Sequence, residues 1–153
     1  DCELRDVKDY DFAIHSRVVP TGEPIHNMFI RLTVDEGLTI REIVASAAYA
    51  PFPECANACD PMQSMVGVTI GRGWRAEIER RLGGVKGCTH LTEMLAGFPT
   101  AAIQSFAGEM PEEREDGRKP FQLDQCHALD TSSETVRKWY PKWHRKPKAA
   151  GSA

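Results

Sequence analysis

The first third of the chain alternates apolar with polar residues, and this period of two is typical of half-buried β-strands. The clearest stretch is MFIRLTV, in which every second residue from Met28 to Val34 is apolar. Residues 10–19 show the same alternation, and residues 38–49 follow the strong strand after a tight connection. The pattern therefore predicts three antiparallel strands in a meander, over residues 10–19, 28–34 and 38–49.

The apolar spacing lengthens to three and four residues in the middle of the chain, which is the period of an amphipathic helix. Trp74, Ile78 and Leu82 share one face of a helix that a pair of glycines ends. A second helix begins near residue 89, is interrupted at Pro99 and resumes to about residue 108. Strands followed by helices predict an α+β domain, with a three-stranded antiparallel sheet and the helices packed on one of its faces.

The character of the sequence changes again beyond residue 108. EMPEEREDGRKP is charged and contains proline and glycine, which is typical of an exposed loop. The tail then becomes basic and aromatic in RKWYPKWHRKPK. We therefore predict a core α+β domain over residues 1–108. Residues 109–153 are expected to form a charged loop and a basic aromatic extension that packs on the same domain.

Composition narrows the class of protein. Of the 153 residues, 41% are apolar and 27% are charged, as in ordinary globular domains. A net charge of -3 argues against a nucleic-acid-binding protein, which is normally basic. No apolar run approaches the roughly 18 residues of a membrane span. The odd count of five cysteines indicates reduced thiols and hence a cytoplasmic protein. The sequence does not determine the oligomeric state, and a homo-oligomer is one of the alternatives.

A thiol, an imidazole and a carboxylate lie within GVKGCTHLTE, at the predicted start of the second helix. Unpaired backbone N–H groups and the helix dipole at such a position favour the thiolate form of Cys88. His90 and Glu93 are three residues apart, so they project from one face of the helix. The simplest alternative is structural: Thr89 caps the helix and Cys88 fills space in the core. His90 and Glu93 then face solvent.

Two further residues are expected near this helix start. His26 begins the clearest strand, and Cys55 lies in the proline-rich loop that leaves the third strand. In an antiparallel meander both positions fall at one end of the sheet. Thiols and neutral imidazoles are the usual zinc ligands, and thiolates also bind iron. The set predicts either one zinc or iron ion bound by His26, Cys55, Cys88 and His90, or a catalytic group without a cofactor, comprising His26, Cys88, His90 and Glu93.

The segment GGVKGCTHLTEML resembles a bacterial family known only as domain of unknown function 2889. A preceding strand that contains H-N-M and a proline-flanked cysteine carry the resemblance further. It spans about residues 10–106 and rests mainly on GCTHL. The resemblance implies a protein encoded near genes for the breakdown of aromatic or steroid compounds.

A second resemblance is structural. The segment HNMFIRLTVDEGLTIREIVASAAYAPFPEC is similar to the sheet of the iron–sulfur cluster scaffold proteins. GGVKGCTHLTEML is similar to the segment in which a ligand cysteine of that family opens a helix. The resemblance places Cys55 on the second ligand cysteine, Cys88 on or beside the third, and His26 on the aspartate of the first motif. Pro24 stands where the first ligand cysteine is expected. The implied ligands therefore suit zinc or a single iron better than a cluster.

Three functions are consistent with these residues. The favoured one is a small catabolic enzyme, a lyase that uses acid–base chemistry, metal-assisted or metal-free, on a small aromatic or apolar compound. His90 or Glu93 would move a proton, and Cys88 or a metal would stabilise the developing anion. The second is a metal or sulfur carrier without turnover, which binds a partner protein through its basic tail. The third is a structural zinc domain.

Overall fold

The computed structural model of the protein describes residues 1–106 and 117–146. The chain divides into two units, Asp1–Ala107 and Gly108–Ala153. Among the described residues, the strands and both long helices lie in the first unit, and the second unit contains short helical segments. Within the described ranges, no helix is long and apolar enough to cross a membrane.

Three long strands form the main sheet of the first unit. In chain order the strands are β1 (Cys2–Val7), β2 (Phe12–Ala13), β3 (Val18–Val19), β4 (Pro24–Val34) and β5 (Ile40–Tyr49). The order in the sheet is β1-β4-β5, with both pairings antiparallel. The structure confirms the expected α+β class with a three-stranded antiparallel sheet.

The identity of the first strand in this sheet was predicted wrongly. Residues 10–19 do not join the sheet, because β2 and β3 pair with each other as a short hairpin. The Ile14 N–H donates to the Arg17 carbonyl at 2.9 Å, so this segment satisfies its backbone groups locally. The strand that pairs with this edge of β4 is β1, whose sequence CELRDV also alternates apolar and polar residues.

One face of the sheet carries the core of the first unit. Met28 and Ile30 on β4 are fully buried, and they lie opposite Leu4 and Cys2 of β1. Helices α1 (Trp74–Leu82) and α2 (Thr89–Ser105) contribute buried side chains to the same cluster, together with the 3₁₀ helix Asp60–Met65. Burial of this apolar surface is the main favourable term for the fold. A second 3₁₀ helix, Pro53–Ala58, connects β5 to this layer.

Helix α2 continues through Pro99, so the predicted interruption is wrong. Proline lacks the N–H that would bond to the carbonyl of Leu95, four residues earlier. The indole Nε1 of Trp74 donates to that carbonyl at 2.9 Å. The missing backbone hydrogen bond is thus replaced by a side chain from α1, and the helix stays continuous. It ends at Ser105, and the last part of the predicted helix lies outside the described residues.

The second unit also contains buried apolar side chains. Leu123 and Val136 are fully buried, and Val136 belongs to helix α3 (Glu134–Trp139). Ser133 caps α3, because its hydroxyl accepts a hydrogen bond from the N–H of Val136. A carboxylate oxygen of Asp124 accepts from the N–H of Thr131 and so ties the loop to the segment before α3.

Candidate functional site

Cys88 is the N-cap residue of α2. Its backbone is extended, and its carbonyl accepts the first helical hydrogen bond, from the N–H of Thr92 at 2.9 Å. Its side chain makes no capping hydrogen bond, so the thiol is not used to satisfy the helix terminus. The alternative in which Thr89 caps the helix is wrong, because Thr89 is already the first helical residue.

Gly87 allows the chain to enter α2 at this point. A Cβ at residue 87 would lie 2.6 Å from the carbonyl oxygen of Leu82, far inside a van der Waals contact. Only glycine therefore fits without movement of the preceding turn. The close approach to the end of α1 fixes where Cys88 begins the next helix.

Four side chains, one of them Cys88, form a contiguous row at this helix start. The Sγ atom of Cys88 lies 3.8 Å from Nδ1 of His90, within hydrogen-bond distance for sulfur. The ring of His90 packs on the ring of His26, with 4.3 Å between centroids and 44° between planes. Nδ1 of His26 lies 3.1 Å from Oδ2 of Asp6. The row therefore runs Cys88, His90, His26, Asp6.

The sheet register explains why Asp6 and His26 meet. They are direct cross-strand partners in the β1–β4 pair, at the last regular position before a bulge. Side chains two residues apart share a face of a strand, so His26 continues the row of Met28 and Ile30. Asp6 likewise continues the row of Leu4. The pair stands at the end of the core-facing side of the sheet, where the apolar core gives way to polar groups.

An open cleft of about 470 Å³ begins at the helix start. One wall comes from the 3₁₀ helix Pro53–Ala58 and the residue before it, and the other comes from the chain entering α2. Phe52 and Ala58 supply apolar surface, and Glu54 supplies a carboxylate. The lining residues are Phe52, Glu54, Cys55, Ala58, Gly87, Cys88, Thr89 and His90.

Burial and neighbouring charges shift the pKa values of three groups in this region. Burial lowers the pKa of His90, and the nearby His26 acts in the same direction, so the neutral imidazole is favoured. The hydrogen bond with His26 lowers the pKa of Asp6, with help from Lys8. Burial, followed by the charges of Asp60 and Cys88, raises the pKa of Cys59. The Cys59 thiol is thus held in its neutral form.

Four of the five predicted site residues lie together. Cys55, Cys88 and His90 line the cleft, and His26 packs behind His90. Glu93 is exposed on α2 and is absent from the cleft lining. Within the described ranges its carboxylate makes no hydrogen bond or ion pair. The row of contacts therefore does not include Glu93, and its predicted catalytic role stays a prediction.

Asp6 is the member of the row that the sequence did not reveal. Its signal was the alternation of CELRDV, which places Cys2, Leu4 and Asp6 on one face. A polar residue that ends an apolar row of a strand points toward the end of the core. Residues 10–19 are the predicted edge strand of the sheet, and the segment that contains Asp6 is absent from the predicted strands.

The predicted metal site combines thiols and imidazoles, which are suitable donors for zinc or iron. In the part of the chain that the structure describes, no three His, Cys, Asp or Glu side chains form a group that could hold a metal ion. The ligand set of His26, Cys55, Cys88 and His90 therefore stays a prediction.

The fold and the site together define a small α+β protein with a thiol–imidazole row beside an open cleft. Residues 1–104 match the model of a family described as a protein of unknown function (DUF2889). The chain belongs to this family, as GCTHL indicated. No curated protein and no solved structure matches the chain. The resemblance to iron–sulfur cluster scaffold proteins is therefore not supported by any solved structure.

Proposed function

We propose that the protein is a small catabolic enzyme, a lyase that acts by acid–base chemistry on a small aromatic or apolar compound. The observation that carries the proposal is the contact between Cys88 and His90, both of which line an open cleft. A general base must be neutral at the working pH, and the lowered pKa of His90 keeps its imidazole in that form.

The proposed reaction is redox-neutral. The imidazole of His90 accepts a proton from the substrate, and the electron pair left behind forms a new double bond. The bond to the leaving group breaks, and the leaving group departs with its bonding electrons. It then receives the proton from the His90 imidazolium, so the enzyme returns to its starting state. Cys88 donates a hydrogen bond from its S–H group to the developing anion.

The cleft lining supports an uncharged, ring-bearing substrate. Phe52 and Ala58 provide apolar surface on which a ring can pack. Among the described residues that line the cleft, Glu54 is the one carboxylate, and there is no lysine or arginine. A carboxylate on the substrate would face repulsion without a counter-ion. These features agree with the aromatic catabolites that the family resemblance implies.

The proposal is tested by screening aromatic catabolites for turnover and by comparing two variants with the unaltered chain. We expect His90→Gln and Cys88→Ala each to lower kcat/KM, His90→Gln by about 10²–10⁴-fold, which is the usual contribution of a positioned acid–base group. Cys126→Ala is the matched control, because Cys126 is an exposed thiol in the second unit. Unchanged turnover in both site variants would sink the proposal.

A metal or sulfur carrier is the second candidate, favoured by the presence of Cys55, Cys88 and His90 on one cleft. A carrier would purify with stoichiometric zinc or iron that Cys88→Ala loses, and no compound would be turned over. A structural zinc domain would unfold on chelation. The proposed acid–base enzyme is expected to stay folded and to retain turnover in a chelator, so one treatment separates the three functions.

A further inference from the structure

The geometry points to Asp6 as a positioning residue that fixes His26 in one tautomer and, through His26, fixes the ring of His90 beside Cys88. This inference rests on the proposed function of the site. Asp6 does not reach the cleft, so it acts through His26 and does not touch a substrate.

The hydrogen-bond chemistry of Asp6 determines the tautomer of His26. An ionised carboxylate can only accept hydrogen bonds, and an aspartate carboxyl is ordinarily ionised at neutral pH. Nδ1 of His26, at 3.1 Å from Oδ2, must therefore carry the proton. In the neutral ring, Nε2 is then the unprotonated nitrogen.

Lys8 fixes the carboxylate itself. Its Nζ donates to Oδ1 of Asp6 at 3.3 Å, while Oδ2 faces His26. Each oxygen thus has its own donor. The carboxylate plane cannot turn away from this orientation without loss of one of the two hydrogen bonds.

The fixed orientation of the His26 ring restricts the orientation of the His90 ring. Its side chain is only 13% exposed, so its ring has little freedom to turn. The two rings are in contact at 4.3 Å between centroids, so the plane of His26 limits the plane of His90. With that plane set, Nδ1 of His90 stays within reach of Cys88 Sγ. A carboxylate that holds an imidazole tautomer in this way is a recurring arrangement in enzyme sites.

The test is Asp6→Asn, read by ¹⁵N NMR of the histidine rings at about pH 8, where imidazoles are neutral. Lys8 can only donate, so the amide oxygen of the new side chain should turn to Lys8. The amide NH₂ then faces His26, whose Nδ1 must become the acceptor. We expect His26 to change from the Nδ1–H to the Nε2–H tautomer, seen as an exchange of its protonated and unprotonated nitrogen signals. The ring signals of His90 should shift as well.

Glu3→Gln is the matched control. Glu3 lies on the same strand, and its carboxylate accepts a hydrogen bond from Asn27 of β4 at 3.2 Å, but on the opposite face of the sheet. It should leave the signals of both histidines unchanged. Lys8→Met keeps the carboxylate of Asp6, which can only accept, so it should keep the Nδ1–H tautomer of His26.

An unchanged His26 tautomer in folded Asp6→Asn would overturn the inference, and so would a His90 ring that does not respond. If Asp6→Asn does not fold, Lys8→Met still reports the tautomer of His26. A Nε2–H tautomer in Lys8→Met would also overturn it. None of these readouts uses a substrate. Failure of the proposed lyase activity is therefore seen separately, as a lack of turnover that depends on His90 and Cys88.

Discussion

His26 and His90 are in contact, yet their surroundings differ in ways that suit different tasks. His26 has a carboxylate partner on Nδ1, whereas His90 has a thiol partner and lies on the cleft. Burial and the neighbouring His26 both favour the neutral form of His90. Pairs of titratable groups in contrasting environments are a recurring basis for acid–base roles. At this scale, the sequence placed His90 and Cys88 in one expected site, and only the sheet register revealed the partner of His26.

The lowered pKa of His90 predicts how stability depends on pH. In the unfolded chain this histidine binds a proton below about its ordinary value of 6.5, while in the fold it binds one only at lower pH. The unfolded state therefore takes up more protons in this window, and the free energy of unfolding falls as the pH drops through it. Urea unfolding at about pH 7.5 and 5.5 measures the fall. His90→Gln should show a smaller fall than the unaltered chain.

The lowered pKa of Asp6 also affects the free energy of unfolding, but in a different pH range from that of His90. Its stabilising effect is present above the ordinary carboxyl value of 3.8 and is lost as the pH falls below it. A loss of stability near pH 6 that is identical in His90→Gln and the unaltered chain would show that His90 is not its source. In that case the neutral base in the proposed reaction would lose its support.

At the scale of elements, the hydrogen bond between α1 and the interior of α2 has a measurable consequence. The Leu95 carbonyl is buried, and Pro99 has no N–H to donate to it. The indole of Trp74 donates in place of that backbone N–H. Trp74→Phe should lower the free energy of unfolding by about 1–3 kcal/mol for the unpaired carbonyl, in addition to any loss of packing. In a Pro99→Ala background the new N–H can bond to Leu95, so Trp74→Phe should cost about 1 kcal/mol less.

Denaturant unfolding of the two single variants and the double variant measures this coupling. Because the packing change at residue 74 occurs in both backgrounds, it cancels from the difference. Additive effects, within the usual scatter of about 0.3–0.5 kcal/mol, would mean that the indole does not replace the missing backbone donor.

The same elements show what the sequence could reveal about the fold. The alternation in residues 28–34 and the helical spacing of Trp74, Ile78 and Leu82 depend on local burial, and both predictions match the structure. Local patterns did not predict which segment pairs with β4, since residues 2–7 and 10–19 both alternate. The continuity of α2 at Pro99 also depends on a distant residue, Trp74. Strand pairing and the replacement of a missing backbone hydrogen bond by a side chain are tertiary effects, which the spacing of apolar residues does not encode.

At the scale of the whole molecule, the core and the candidate site belong to one unit. Every buried member of the core cluster lies between Met28 and Ala102, and the row from Asp6 to Cys88 lies in the same unit. The family match over residues 1–104 covers almost the same part of the chain. The expected packing of the basic extension on this domain stays a prediction.

We therefore expect a chain of residues 1–106 to unfold cooperatively and to keep the site. Folding depends mainly on burial of apolar surface, and the residues that bury it in the first unit all lie within that range. Urea unfolding tests the first point, and the rate of Cys88 alkylation at fixed pH, followed by peptide mass spectrometry, tests the second. The rate should equal that of the full chain, because the neighbours of Cys88, including His90, are retained. Loss of cooperative unfolding would instead show that residues 107–153 complete the domain, as the predicted packing of the extension requires.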